Sequence, residues 1–139
     1  SLLGDGGAYL IAFIIGAFLI DLYLKNPLIS PYFITLLLWY PVYENLFSII
    51  RKKFLKQKAT APDNDHLHQL VYFFLKKKFK YANNITGITL SFINLLIFLI
   101  GVNFYNKTNI LVIFILINVL IYSSVYIFLY YKKNNIKFF

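Results

Sequence analysis

The sequence has no cysteine, no methionine and few charged residues. It contains no cysteine, which excludes a disulfide framework and a thiolate metal site. Charged residues make up only 14% of the chain, whereas about a quarter of an average soluble domain is charged. Methionine is absent even at position 1, so we expect the sequence to be a processed product or a fragment of a longer protein.

Hydrophobic residues make up 60% of the chain, and the aromatic residues among them make up 20% of the chain. This composition predicts an all-α, polytopic integral membrane protein that forms a single membrane domain over residues 1–139. Four apolar runs predict four transmembrane helices, at about 8–24, 32–50, 85–103 and 110–131. Pro41 predicts a kink inside the second run, with Trp39 and Tyr40 just before it.

Basic residues set the expected orientation. Most of the fourteen lie in one polar connection, residues 51–80. The positive-inside rule therefore predicts that this loop is cytosolic. We expect a multi-pass protein of the inner (plasma) membrane. The same rule accounts for the net charge of +9, so we expect no nucleic-acid partner. Apolar residues recur three and four apart over residues 67–75, which predicts a short amphipathic helix lying in the interface plane.

Two polar segments could carry chemistry. Asp5 stands among glycines near the start of the first run, where a carboxylate could bind a magnesium ion shared with a phosphate or could only cap the helix. His66 and His68 lie in the basic loop, where imidazoles suit phosphate oxygens and a neutral ring could act as a base. The alternative is a solvated loop whose histidines have no function. Two crossings separate Asp5 from the loop, so both segments are predicted to be cytosolic.

Acidic residues inside or beside the apolar runs also need partners. Asp21 and Lys25 stand four apart and are expected to pair at the end of the first helix. Glu44 lies two turns before the basic end of the second run, and we expect it to face protein. The alternative for Glu44 is an ion pair with Arg51 or Lys52 at the membrane boundary.

Three stretches carry a family resemblance. They are residues 3–9 (LGDGGAY), 40–52 (YPVYENLFSIIRK) and 61–70 (APDNDHLHQL). In order and approximate spacing, over nearly the first 80 residues, they resemble the C-terminal half of the polyprenyl-phosphate N-acetylhexosamine-1-phosphate transferases. This is glycosyltransferase family 4, which also contains the phospho-N-acetylmuramoyl-pentapeptide transferase.

The resemblance implies a magnesium-dependent enzyme. Members transfer N-acetylhexosamine-1-phosphate from a UDP-N-acetylhexosamine to polyprenyl (undecaprenyl) phosphate and release UMP, which initiates the synthesis of cell-wall, lipopolysaccharide or O-antigen glycans. Asp5 stands where the family has a metal-binding acid, so it is the expected Mg²⁺ ligand and a catalytic residue. His66 and His68 fall in the family's histidine loop as catalytic, phosphate-binding residues. Arg51 lies at the basic entry to that loop as a further phosphate contact.

The chain also departs from the family. Glu44 stands where many members have Asp, and Gln69 where some have a third histidine. Members carry an acidic pair and another motif in earlier cytosolic loops, so this chain alone is expected to lack part of its catalytic site. The alternative is a non-catalytic membrane subunit, or a degenerate half-protein, whose basic loop binds anionic membrane lipid or a partner. The sequence does not identify the sugar, the pathway or the oligomeric state, and a homodimer is one of the states that it allows.

Overall fold

The structure is a computed structural model that describes residues 4–56, 63 and 65–136, and for residues 4, 5, 8, 135 and 136 it describes only the backbone. The described residues form helices and no strand, which confirms the all-helical prediction. The helices are α1 (Gly4–Lys25), α2 (Pro31–Leu37), α3 (Trp39–Phe54), α4 (Leu67–Leu75), α5 (Ala82–Val102) and α6 (Thr108–Ile136).

Two of these helices are long and apolar enough to cross a bilayer. They are α5, with a mean hydropathy of 2.3, and α6 over Thr108–Asn134, with a mean hydropathy of 2.6. The α2–α3 pair makes a third candidate if the two helices are counted as one broken span. The described residues therefore support a membrane protein with two to three candidate spans, and the four-span topology stays a prediction.

The stretch predicted as a kinked second span forms two helices with a sharp bend between them. Its two helices meet at Leu38 with a bend of 72°. Pro41 explains the position of the break, because its ring would clash with the carbonyl of Leu37, four residues earlier, if the helix ran on. The same proline is tolerated in the first turn of α3, where a missing N–H costs little. Trp39 and Tyr40 therefore begin α3, and the prediction that they precede the kink is wrong.

The core lies where α2 and α4 pack against α5 and α6. Leu67 and Leu70 on one face of α4 are buried, which confirms an amphipathic helix at the predicted place. The remaining core residues come from the other helices. They are Phe33, Leu36, Trp39, Ile97, Leu111, Tyr122 and Tyr126.

One end of the fold is closed by polar contacts between connections. Ser30 caps α2, and its hydroxyl lies 2.9 Å from that of Thr108 at the start of α6. The backbone N–H of Ser30 also donates to the carbonyl of Tyr105 at 2.9 Å. Gly101, near the end of α5, packs directly against Leu36 of α2, so a methyl group there would lie 2.5 Å from a leucine methyl.

Helix α1 contacts α2 and exposes most of its described apolar side chains. The predicted Asp21–Lys25 pair is present on it at 2.8 Å and is exposed.

Candidate functional site

A polar face on α3 forms one wall of the site. Glu44, Ser48 and Lys52 follow one another at intervals of four, so they line the same side of the helix. The three residues are only 8%, 7% and 7% exposed. Polar groups buried to this extent must find hydrogen-bond or charge partners. Their partners include Asp63, His66 and the backbone N–H of Leu67 at the start of α4.

Asp63 is the first partner. Its Oδ2 accepts hydrogen bonds from the hydroxyl of Ser48 and from the guanidinium of Arg51. The ammonium of Lys52 lies 3.9 Å from the same oxygen, and His66 Nε2 lies 3.7 Å from it. Desolvation acts to raise the pKa of Asp63, but the hydrogen bonds from Ser48 and Arg51 hold that pKa well below its ordinary value. The carboxylate is therefore ionised and locked to α3.

Asp65 connects the same cluster to α6. Its backbone N–H donates to Oδ1 of Asp63 at 3.0 Å, which turns the chain toward α4. Its carboxylate lies 3.5 Å from Arg51 and accepts a hydrogen bond from Lys133 of α6. The guanidinium of Arg51 also lies 5.9 Å from the ring centre of Tyr126, which is buried on α6. Arg51 thus sits at the centre of an ionic cluster that joins three parts of the chain.

Glu44 holds the start of α4. Its Oε1 accepts a hydrogen bond from the backbone N–H of Leu67 at 2.8 Å and lies 3.1 Å from His66 Nδ1. The expectation that Glu44 faces protein is confirmed, whereas the alternative that it pairs with Arg51 or Lys52 is wrong, because Asp63 takes both cations. The second oxygen of Glu44 is buried and makes no hydrogen bond of standard geometry to a described residue, although the hydroxyls of Tyr40 and Tyr122 lie near this carboxylate.

The two histidines are brought together but have different surroundings. His66 is the N-cap of α4 and is extended, so its ring turns toward Glu44 and Asp63. His68 belongs to the helix and is exposed. Their rings stack with centroids 5.6 Å apart and planes 13° apart. The sequence predicted equivalent roles for the pair, but the structure turns one ring inward and leaves the other outward.

A small pocket opens beside the outward ring of His68. Its volume is about 220 Å³, and it lies between α4 and the first turns of α5. Most of the surface that lines it is apolar, although several of the lining side chains carry a polar group. The lining residues are His68, Gln69, Tyr72, Asn83, Thr86, Gly87 and Leu90.

Arg51, the predicted phosphate contact, and Asp5, the predicted metal ligand, both belong to helices. Arg51 belongs to the last turn of α3, not to a loop, and its charge is compensated by Asp63 and Asp65. Asp5 lies in the first turn of α1, and its side chain is outside the described residues. Over residues 4–56, 63 and 65–136, no three His, Asp or Glu side chains are arranged to hold a metal ion.

Several residues of the site were not among the predicted site residues. They are Glu44, Ser48, Lys52, Asp63, Asp65 and Lys133. A signal for the aspartates was present, since two of the five acids in the chain stand inside its most basic segment. Like charges there would repel one another without such counter-charges. Comparison with known proteins adds nothing to these residues, because no family model, curated protein or solved structure matches the chain.

Proposed function

We propose that this chain is the C-terminal part of a membrane transferase that moves N-acetylhexosamine-1-phosphate from a UDP-sugar to polyprenyl phosphate. Four spans, with the histidine segment on the cytosolic side, are part of this proposal. The observation that carries it is the stacked pair of His66 and His68 beside the cationic end of α3. Imidazole donors beside Arg and Lys are suited to the oxygens of a pyrophosphate.

In this proposal the surroundings of His68, His66 and Arg51 give each residue a different role. Exposed His68 is the group that meets the substrate phosphates. His66, held between Glu44 and Asp63, positions the start of α4 and the ring that stacks on it. Arg51 keeps Asp63 and Asp65, which precede α4, in place through its ion pairs.

The reaction is a displacement at phosphorus. An oxygen of the lipid phosphate forms a bond to the β-phosphorus of the UDP-sugar, the bond from that phosphorus to the bridging oxygen breaks, and UMP leaves. Such transfers depend on positioning and on neutralising the phosphate charge. Asp5 is the residue that would hold Mg²⁺, which supplies part of that neutralisation when bound.

The test uses the protein encoded by the complete reading frame, purified in detergent and given undecaprenyl phosphate and UDP-N-acetylhexosamine. We expect His68→Ala to lower the rate of UMP release by about 100-fold or more, in the range of a lost acid–base or electrostatic group. Asp5→Asn should abolish the Mg²⁺-dependent rate and leave membrane insertion intact. Lys25→Gln, on an exposed pair at the far end of α1, is the control. Full activity of the Asp5 and His68 variants would remove both residues from the site.

A non-catalytic membrane subunit is the second candidate. One observation favours it: the carboxylates of Asp63 and Asp65 already compensate Arg51 and Lys133, as in a cluster that serves only to fix α4. The same assay separates the candidates. A subunit would show no UMP release with any UDP-N-acetylhexosamine.

A further inference from the structure

Lysines from two separate elements gather around the phenylalanines at the end of α4. The ammonium groups of Lys76 and Lys77 lie 4.9 and 5.5 Å from the ring centre of Phe73. From α6, Lys132 lies 4.5 Å from the ring centre of Phe74. Contacts of this kind hold an ammonium over a ring face, and an ammonium has three N–H donors, more than one such contact uses. We call the surface formed by Lys76, Lys77, Lys78, Lys80 and Lys132 the lysine patch.

The charge of the lysine patch is not compensated within this part of the chain. No acidic residue follows Asp65 in the sequence, and that carboxylate is engaged by Arg51 and Lys133. Among the ion pairs of the described residues, none includes a member of the patch. All five lysines are exposed. Exposed like charges, three of them held over the neighbouring rings of Phe73 and Phe74, attract counter-anions from outside the chain.

The position of the lysine patch in the fold indicates that its counter-anions come from the membrane. The turn that carries Lys78 and Lys80 leads directly into α5, which begins at Ala82. Lys132 lies in the last turns of α6, the other candidate span, and α4 packs against both helices. The patch is therefore at the membrane boundary if α5 and α6 cross the bilayer. Phe79 and Tyr81, 48% and 66% exposed, add the aromatic side chains that are typical of that boundary.

We propose that the lysine patch is a binding site for the headgroups of anionic phospholipids, with phosphatidylglycerol as the representative ligand. The phosphodiester accepts hydrogen bonds from the ammonium groups, while the acyl chains lie along the apolar faces of α5 and α6. This goes beyond a general attraction of basic loops to membranes, because two elements and an aromatic platform build one site. It does not depend on the proposed transferase activity.

The test measures lipid selectivity on the purified protein in detergent. Dioleoyl phosphatidylglycerol and dioleoyl phosphatidylcholine are added at equal concentration, and native mass spectrometry gives the ratio of the two bound lipids. Each lysine near a lipid surface strengthens binding to anionic headgroups by about fivefold. We expect the wild type to prefer phosphatidylglycerol, and K77Q/K80Q to lose about tenfold or more of that preference.

Two matched variants make the result specific. K25Q/K107Q removes the same charge from lysines in other parts of the fold and should keep the preference. K77R/K80R keeps the charge and should also keep it. The proposal is overturned if the wild type shows no preference, if K77Q/K80Q keeps it, or if both glutamine pairs lose it equally. Should K77Q/K80Q fail to fold, salt decides: raising ammonium acetate from about 0.1 to about 0.5 M should weaken the wild-type preference, and a salt-independent preference overturns the proposal.

Discussion

Glu44→Ala should release the start of α4 from α3. In the structure one oxygen of Glu44 accepts both the Leu67 N–H at 2.8 Å and the His66 imidazole at 3.1 Å. Leu67 is 6% exposed, so water cannot take over its N–H without opening the helix end. The alanine variant therefore leaves a buried donor and a half-buried imidazole without their shared acceptor.

The expected cost follows from these two contacts. A buried donor left without a partner costs about 1–3 kcal/mol, and losing the acceptor of the imidazole costs about 1 kcal/mol more. We expect Glu44→Ala to lower the free energy of opening at the start of α4 by about 2–4 kcal/mol. Glu44→Gln keeps a carbonyl oxygen that can accept from Leu67 and His66. Its amide group replaces the second glutamate oxygen, which makes no hydrogen bond of standard geometry. The glutamine variant should lose about 1 kcal/mol or less.

Hydrogen exchange measures this directly. Peptides that cover residues 66–70 report the protection of the Leu67 amide in detergent or nanodiscs. A loss of 2–4 kcal/mol corresponds to exchange that is about 30-fold to 1,000-fold faster, since 1.4 kcal/mol is about tenfold. Peptides from α5 are the internal reference and should change little. Equal protection in the wild type, Glu44→Gln and Glu44→Ala would refute the role assigned to this carboxylate.

Other perturbations test the packing and the ionic cluster. Gly101→Ala should lower stability by about 1–3 kcal/mol because Leu36 must move. Gly87→Ala, with open space around it inside α5, should leave stability unchanged or raise it by up to about 1 kcal/mol, and thermal unfolding compares the two variants. Because the folded-state pKa of Asp63 is depressed, its stabilisation is complete above about pH 4 and is lost as the pH falls below that value; unfolding midpoints between about pH 3 and 7 should show this loss. Arg51→Gln should bring the folded-state pKa of Asp63 closer to its unfolded value and so make this acid-induced loss smaller, and an unchanged pH profile would contradict the contribution of that guanidinium.

The helices were predictable because their signals are local. Apolar runs gave α5 and α6 to within a few residues, and the spacing of Leu67 and Leu70 predicted α4. The site was predictable only in outline. The sequence pointed to His66 and His68, and the structure places both at the start of α4. The sequence could not show which ring faces inward, because that depends on the dihedral angles of the N-cap.

What the sequence alone determined is the class of protein and its helical segments. Both follow from composition and periodicity, which are properties of neighbouring residues. The tertiary structure decided the partners of the charges. Asp65 meets Lys133 across 68 positions, and Asp63 takes the cations that could equally have paired with Glu44. Such pairings arise because burial leaves each charge only the groups that packing brings within a few ångströms, and no spacing in the sequence records which groups those will be.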